Sequence, residues 1–193
     1  MLVAQAKESA EWFLNKKIPD TLIQSVYRKM RRQMENIILI GMPGCGKSTV
    51  GRLLSEKLGK PFVDADEELV NTYGMEIPAV FAAEGEAGFR KMETAVLETL
   101  GKRSGLVIAT GGGCVTREEN YPLLHQNGIL FWLQRDLENL PSQGRPLSQV
   151  MKVEDMYRLR KPLYQRFADY SICNDGAPQA SAAEILAKWE ETQ

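Results

Sequence analysis

The stretch NIILIGMPGCGKS, Asn36 to Ser48, leaves this chain few folds to adopt. NIILI is apolar and rich in β-branched residues without alternation, the pattern of a strand buried on both faces. Gly41 to Ser48 then fits G-x-x-x-x-G-K-[ST], and KSTVGRLLSEKLG (Lys47 to Gly59) reads as a helix ended by glycine. Strand, glycine-rich turn and helix, in that order, make a phosphate-binding loop. Gly41, Gly44 and Gly46 let the backbone turn and aim amide hydrogens inward. Lys47 adds a full charge at the β/γ-phosphates, and Ser48 offers a hydroxyl to Mg²⁺. The chain is therefore expected to bind a nucleoside triphosphate. The acceptor stays open, because ATPases, GTPase switches and small-molecule kinases share this loop.

The rest of the chain extends the same alternation. PFVDAD, GLVIAT, GILFWL and DYSICN read as further short strands. AVFAAEGEAGFRKMETAVLETLGK reads as largely helical, with glycines that break its first half. TREENYPLLHQNG, VEDMYRLRKPLYQRF and SAAEILAKWEE read as helices. Five strand–helix alternations predict an α/β fold, a parallel sheet covered on both faces, with ligands at the carboxyl ends of the strands. At 193 residues there is room for one well-cored domain and an appendage.

Composition excludes more than it identifies. Lys plus Arg number 24 against 25 Asp plus Glu, so bulk charge points to neither nucleic acid nor an anionic membrane. The basic cluster Arg28 to Arg32 reads as a solvated helix face. No run is long enough to span a bilayer, and Lys7, Glu8 and Glu11 interrupt any signal-peptide pattern. Cys45, Cys114 and Cys173 lack metal-ligand spacing and fit a reduced, cytoplasmic protein. Cys45 reads as a small filler in the loop, and His125 as a surface residue.

Candidate acceptor-binding residues fall just after predicted strands. Asp64 and Asp66 alternate at the end of the second strand and would face one side. One could act on the magnesium shell and the other accept a proton, or the pair could be a helix N-cap and a surface acid. Arg90 stands one helical turn before Glu93. Gly111, Gly112 and Gly113 permit close backbone approach to a ligand, and Arg160 suits a carboxylate bidentately. Together they describe a pocket for a small polyhydroxylated acid.

In their order and spacing, GMPGCGKSTVGRLL, FVDAD, GEAGFRKME, ATGGGCV, GRPL and RKPLY resemble shikimate kinases, from about residue 36 to the C-terminus. The resemblance implies a P-loop kinase fold with a central five-stranded parallel sheet. It implies transfer of the ATP γ-phosphoryl group to the 3-hydroxyl of shikimate. Gly44, Cys45, Gly46, Lys47, Ser48 and Thr49 would hold ATP, with Mg²⁺ at Ser48 and Asp64. Asp66 would serve as base or orienter beside Lys47. Arg90, Arg160 and Gly111 to Gly113 would hold shikimate. Arg145 would arrive on a mobile lid spanning about residues 138–156. The implied protein is a monomer acting on small molecules. Two features depart from many relatives: Glu138 stands where an arginine is common, and NDGAP (Asn174 to Pro178) lacks the usual basic residue at the adenine. Nucleobase discrimination is therefore expected to be weak. A gluconate-type kinase and a silent nucleotide-sensing module are the competing readings. The glycine triplet and RKPLY favour the first over gluconate, and the presence of Lys47, Asp66, Arg90 and Arg160 favours an enzyme over a silent module.

Residues 1–35 precede this domain. Leu2, Val3, Ala6, Ala10 and Phe13 predict a helix with one buried face. A second helix is predicted from PDTLIQSVYRKMRR, capped by Asp20 or Thr21. MLVAQA and its aromatic-ended helix resemble the C-terminal helix of shikimate dehydrogenases, which implies the kinase end of a dehydrogenase–kinase fusion. Gln5 would match that family's shikimate-contacting glutamine. It is expected to be idle here, since no dinucleotide-binding glycine fingerprint occurs.

Overall fold

The computed structural model describes residues 2–140 and 152–192. Five strands form one sheet: β1 (Asn36–Ile40), β2 (Phe62–Asp64), β3 (Val107–Ala109), β4 (Gly128–Gln134) and β5 (Tyr170–Cys173). All neighbours pair parallel, in the order β2-β3-β1-β4-β5. Ile37, Ile38, Leu39 and Ile40 are fully buried, as an unbroken apolar strand at the centre of a covered sheet should be.

The helices follow from the strand order. α3 (Lys47–Leu58) carries the chain from β1 to the β2 edge. α4 (Ala65–Tyr73) with α5 (Ile77–Lys102), then α6 (Asn120–His125), then α7 (Val153–Phe167) carry it back the other way. Parallel crossovers are right-handed, so opposite directions put α3 on one face and the returning helices on the other. α8 (Pro178–Glu191) packs on α3, while α5 packs on α6. The connections after the adjacent strands β1 and β3 thus diverge to opposite faces, which opens a crevice at their carboxyl ends.

Three sequence expectations need correction here. The second strand stops at Asp64, not Asp66. The Asp64 side chain accepts the Asp66 N–H at 3.0 Å and caps α4, which turns the chain before Asp66 is reached. The helix read over TREENYPLLHQNG is only α6, preceded by a 3₁₀ turn at Cys114–Thr116. In α5 the chain leaves helical geometry at Gly85 (φ 65°, ψ −176°), so the break expected from its glycines is present.

The third correction concerns the N-terminal pair, α1 (Leu2–Leu14) and α2 (Asp20–Met34). The buried face expected of α1 is not found: Trp12 and Phe13 are 87% and 84% exposed. Leu22, Val26, Met30 and Met34 likewise stand about half exposed along α2, which buries none of its residues. Pro19 occupies the cap position of α2, with no side-chain cap from Asp20 or Thr21. The far end of α2 is held firmly. Lys60 Nζ donates to the Glu35 carbonyl at 2.7 Å and the Gln33 carbonyl at 3.3 Å, and Gly105 N donates to Met34 O at 2.7 Å. Burial lowers the Lys60 pKa, opposed by the Glu35 carboxylate. Cys45 and Cys114 are buried, and His125 is on the surface beside Asp169. Among the described residues no helix is long and apolar enough to cross a membrane.

Candidate active site

The phosphate loop joins the buried end of β1 to the N-terminus of α3, so its amides and the helix dipole face the crevice. Lys47 is 8% exposed. Its Nζ donates to the Gly41 and Met42 carbonyls, each at 3.0 Å. The side chain is thus folded back along the loop that a triphosphate would occupy. Ser48 Oγ donates to Asp64 Oδ2 at 2.7 Å. Asp64 therefore does two jobs, capping α4 with one oxygen and meeting the loop hydroxyl with the other. The cap reading of Asp64 is observed, and the same side chain lines the cleft.

These residues line one cleft of about 390 Å³. Gly44, Gly46, Lys47, Ser48 and Thr49 form its loop side, and Asp64, Asp66, Thr110 and Gly112 the other. Asp66 sits in the first turn of α4 rather than on the strand, yet it reaches the same cleft.

The glycine triplet after β3 gathers the remaining charges. A Cβ on Gly111 would lie 2.6 Å from Glu93 Oε1 and 2.8 Å from Asp66 Oδ1. A Cβ on Gly113 would fall on the Arg90 guanidinium. The Gly112 carbonyl accepts from Arg160 Nη1 at 3.1 Å and from the Tyr164 hydroxyl. Side chains here would hold the charged groups apart. Arg90, Glu93 and Arg160 are each more than nine-tenths buried.

Arg90 Nη1 donates to Glu93 Oε2 at 2.7 Å, and Arg90 Nη2 to Glu86 Oε1 at 3.4 Å. Arg90 Nε and Glu93 Oε1 have no hydrogen-bond partner among the described residues. An unpartnered buried donor beside an unpartnered acceptor is costly unless something polar completes them. Burial raises the Glu93 pKa, which Arg90 opposes and the Asp66 carboxylate reinforces. Burial disfavours charge on Arg90, but Glu93 and then Glu86 outweigh it and leave its pKa raised. The Cys114 thiol, next to the triplet, is pushed up to about 12 by burial and by Glu93, so it is inert as a nucleophile.

Every predicted site residue but one is thus described. Arg145, and most of the expected lid, lie outside the described residues. The sequence reading gave Glu93 no role beyond its spacing from Arg90. It missed Tyr164, whose aromatic ring stacks on Trp132 at 5.6 Å. It missed Arg135 at the end of β4, whose charge acts on Asp175 in the NDGAP loop. Tyr164 ends the RKPLY motif, but its residue type and spacing alone do not set it apart from a core aromatic.

For Mg²⁺ the donor set is a hydroxyl and a carboxylate 2.7 Å apart in the phosphate cleft. Hard oxygens suit it. Mg²⁺ needs only one or two protein ligands where phosphates and waters complete its shell, so the residues present fit the ion.

A family model for shikimate kinase matches residues 43–190. The chain is 43% identical over 163 residues to the shikimate kinase of Acinetobacter baumannii (strain AYE), covering 79% of this chain and 91% of that one. It is 41% identical over 152 residues to the shikimate kinase of Thioalkalivibrio sulfidiphilus, covering 74% and 80%. Among solved structures, it resembles an Acinetobacter baumannii shikimate kinase in complex with shikimate, with a TM-score of 0.76, 39% identity and coverage of 86% and 98%. It also resembles the Aquifex aeolicus shikimate kinase, with a TM-score of 0.71, 36% identity and coverage of 81% and 97%.

Proposed function

The chain belongs to the shikimate kinase family, catalysing ATP-dependent phosphorylation of shikimate, and we propose that the two sides of its cleft divide that reaction between them. The loop side holds ATP. The amides of Gly44 to Thr49 cradle its phosphates, and Lys47 leaves its carbonyl partners to meet the β/γ oxygens. Ser48 and Asp64 would hold Mg²⁺, which when bound would supply positive charge against the transferring phosphoryl group. The triplet side holds shikimate. Arg90 and Arg160 fork its carboxylate, with the backbone of Gly111 to Gly113 against the ring. Asp66 orients the 3-hydroxyl and takes its proton as the oxygen bonds to the γ-phosphorus and ADP departs. Arg145 closes from the lid and neutralises charge on the group in flight. Tyr164 steadies the Gly112 carbonyl, and Glu93 holds Arg90 in place.

The observation that carries this reading is the convergence of Asp66, Glu93, Arg90 and Arg160 on three consecutive glycines beside the phosphate cleft. Arg160→Ala tests it. A charge-assisted hydrogen bond contributes about 1.5–3 kcal/mol, so the KM for shikimate is expected to rise roughly 10- to 100-fold. The KM for ATP should stay within about twofold, because Tyr164 still holds Gly112. A weakened ATP with shikimate affinity intact would mean Arg160 serves the nucleotide instead.

For residues 1–35, we propose the last segment of a dehydrogenase, or its relic, joined to the kinase. The support is the exposed apolar surface of Trp12, Phe13, Leu22 and Met30, a surface suited to packing against another domain. No residue lining the cleft comes from this segment. Deleting residues 1–32 is expected to leave shikimate turnover within about twofold, since exposed residues away from a site contribute little to it. A large loss at unchanged folding would show that the segment serves the kinase chemistry.

A further inference from the structure

The phosphate loop is held from beneath by a residue that no catalytic role yet explains. Asn174 follows β5 and is 3% exposed. Its Nδ2 donates to the Cys45 carbonyl at 2.6 Å. Its Oδ1 accepts from Ser181 Oγ at 2.7 Å, on the first turn of α8. The orientation of the amide is determined: a carbonyl can only accept, so the nitrogen must face Cys45, which leaves the oxygen for a hydroxyl that can donate. Its backbone N–H also continues the sheet, donating to Gln134 O at 2.8 Å.

The Cys45–Gly46 peptide is planar and trans, so its C=O and N–H point in opposite directions. Drawing the Cys45 carbonyl down onto Asn174 therefore turns the Gly46 N–H up, into the cleft that Gly46 lines. Gly46 is held at φ +97°, and a Cβ there would lie 2.5 Å from Asn174 Nδ2. The loop glycine and the asparagine beneath it fit only each other. An amide pre-aimed at a phosphate oxygen needs no reorganisation when the nucleotide arrives.

We propose that Asn174 is a positioning residue for phosphoryl transfer, acting through the Cys45–Gly46 peptide, with Ser181 fixing its amide. Its neighbours Asp175 to Pro178 form the loop expected at the nucleobase, so Asn174 also ties the base end of the nucleotide site to the phosphate end. The inference rests on the phosphate-loop reading above.

The test is calorimetric binding of ADP, AMP and shikimate to the full chain and to Asn174→Ala. The Gly46 amide serves phosphates beyond the first, so ADP affinity is expected to fall about tenfold, the effect of one strong hydrogen bond. AMP and shikimate affinities should stay within about twofold. Ser181→Ala keeps the asparagine and loosens it, so it should show the same selectivity at about threefold. It stands in if Asn174→Ala does not fold. Unchanged ADP affinity in the variants, or ADP, AMP and shikimate weakening together, overturns the proposal. Failure of the unaltered protein to bind ADP would overturn the phosphate-loop reading itself, a different result from either.

Discussion

Lys47→Ala is expected to lower kcat for shikimate phosphorylation about 10²–10³-fold, the range for removing one preorganised charge-stabilising donor. The reason lies in where the ammonium sits. It is buried in the loop, held on the Gly41 and Met42 carbonyls, and a short swing from the phosphates it would meet. Charge that develops on the γ-phosphoryl oxygens is stabilised more strongly there than in water. The fold should survive. Two carbonyls lose a donor, but Met42 O still accepts from Cys45 N at 3.2 Å. Steady-state kinetics together with a thermal melt check this. A variant that keeps most of its kcat would remove Lys47 from the chemistry.

Arg90→Ala should fail in two ways, as an enzyme and as a folded protein. The guanidinium is the only cation donating to Glu93 among the described hydrogen bonds, at 2.7 Å, and both are buried. Removing one member of a buried ion pair costs about 3–5 kcal/mol, because the other charge is left uncompensated. For a domain of this size that is roughly 6–20 °C in Tm. The loss should depend on pH. Burial already raises the Glu93 pKa, and without Arg90 it rises further. A carboxyl whose folded pKa exceeds its unfolded value favours the folded state at low pH and loses that advantage as pH rises through the folded pKa. The deficit of Arg90→Ala relative to the unaltered protein should therefore shrink as pH falls toward the ordinary glutamate range, about 4.3. Arg90→Ala/Glu93→Gln should recover much of the stability and none of the shikimate affinity. A deficit that stays flat with pH would mean that Glu93 is not the cause.

The parts that were legible in the sequence are those fixed by local rules. β1 could be read as buried on both faces because Ile37 to Ile40 are an unbroken apolar run, and the loop after it could be read from its glycines and lysine alone. Asp66 lines the cleft expected of it, but from the first turn of α4 and not from the strand. Alternation on a strand puts two carboxylates on one side, but so does a helix cap followed by a first turn, and spacing alone cannot separate them. Gly111 to Gly113 announced close approach without saying of what. The Cβ positions supply the answer: two carboxylates at Gly111 and one guanidinium at Gly113, drawn from α4 and α5, and Pro43 of the phosphate loop at Gly112. Asn174 reads as the end of the DYSICN strand and the start of a loop lacking a basic residue. Its contact with Cys45 spans 129 positions of chain, and such a pairing has no local signature. On the N-terminal helices, periodicity gave the elements but not their burial. An amphipathic pattern shows that a face can be covered, not what covers it.

The proposed role of the four charges around the glycine triplet is to select a shikimate carboxylate and ring. The most direct measurement is ADP formation by the unaltered protein with ATP and Mg²⁺, offered shikimate and gluconate in parallel. Turnover with shikimate, and at least about a hundredfold lower kcat/KM with gluconate, is the expected result, since a ring and a flexible chain present their hydroxyls to Asp66 differently. Gluconate turned over as well as shikimate, or in its place, would contradict it.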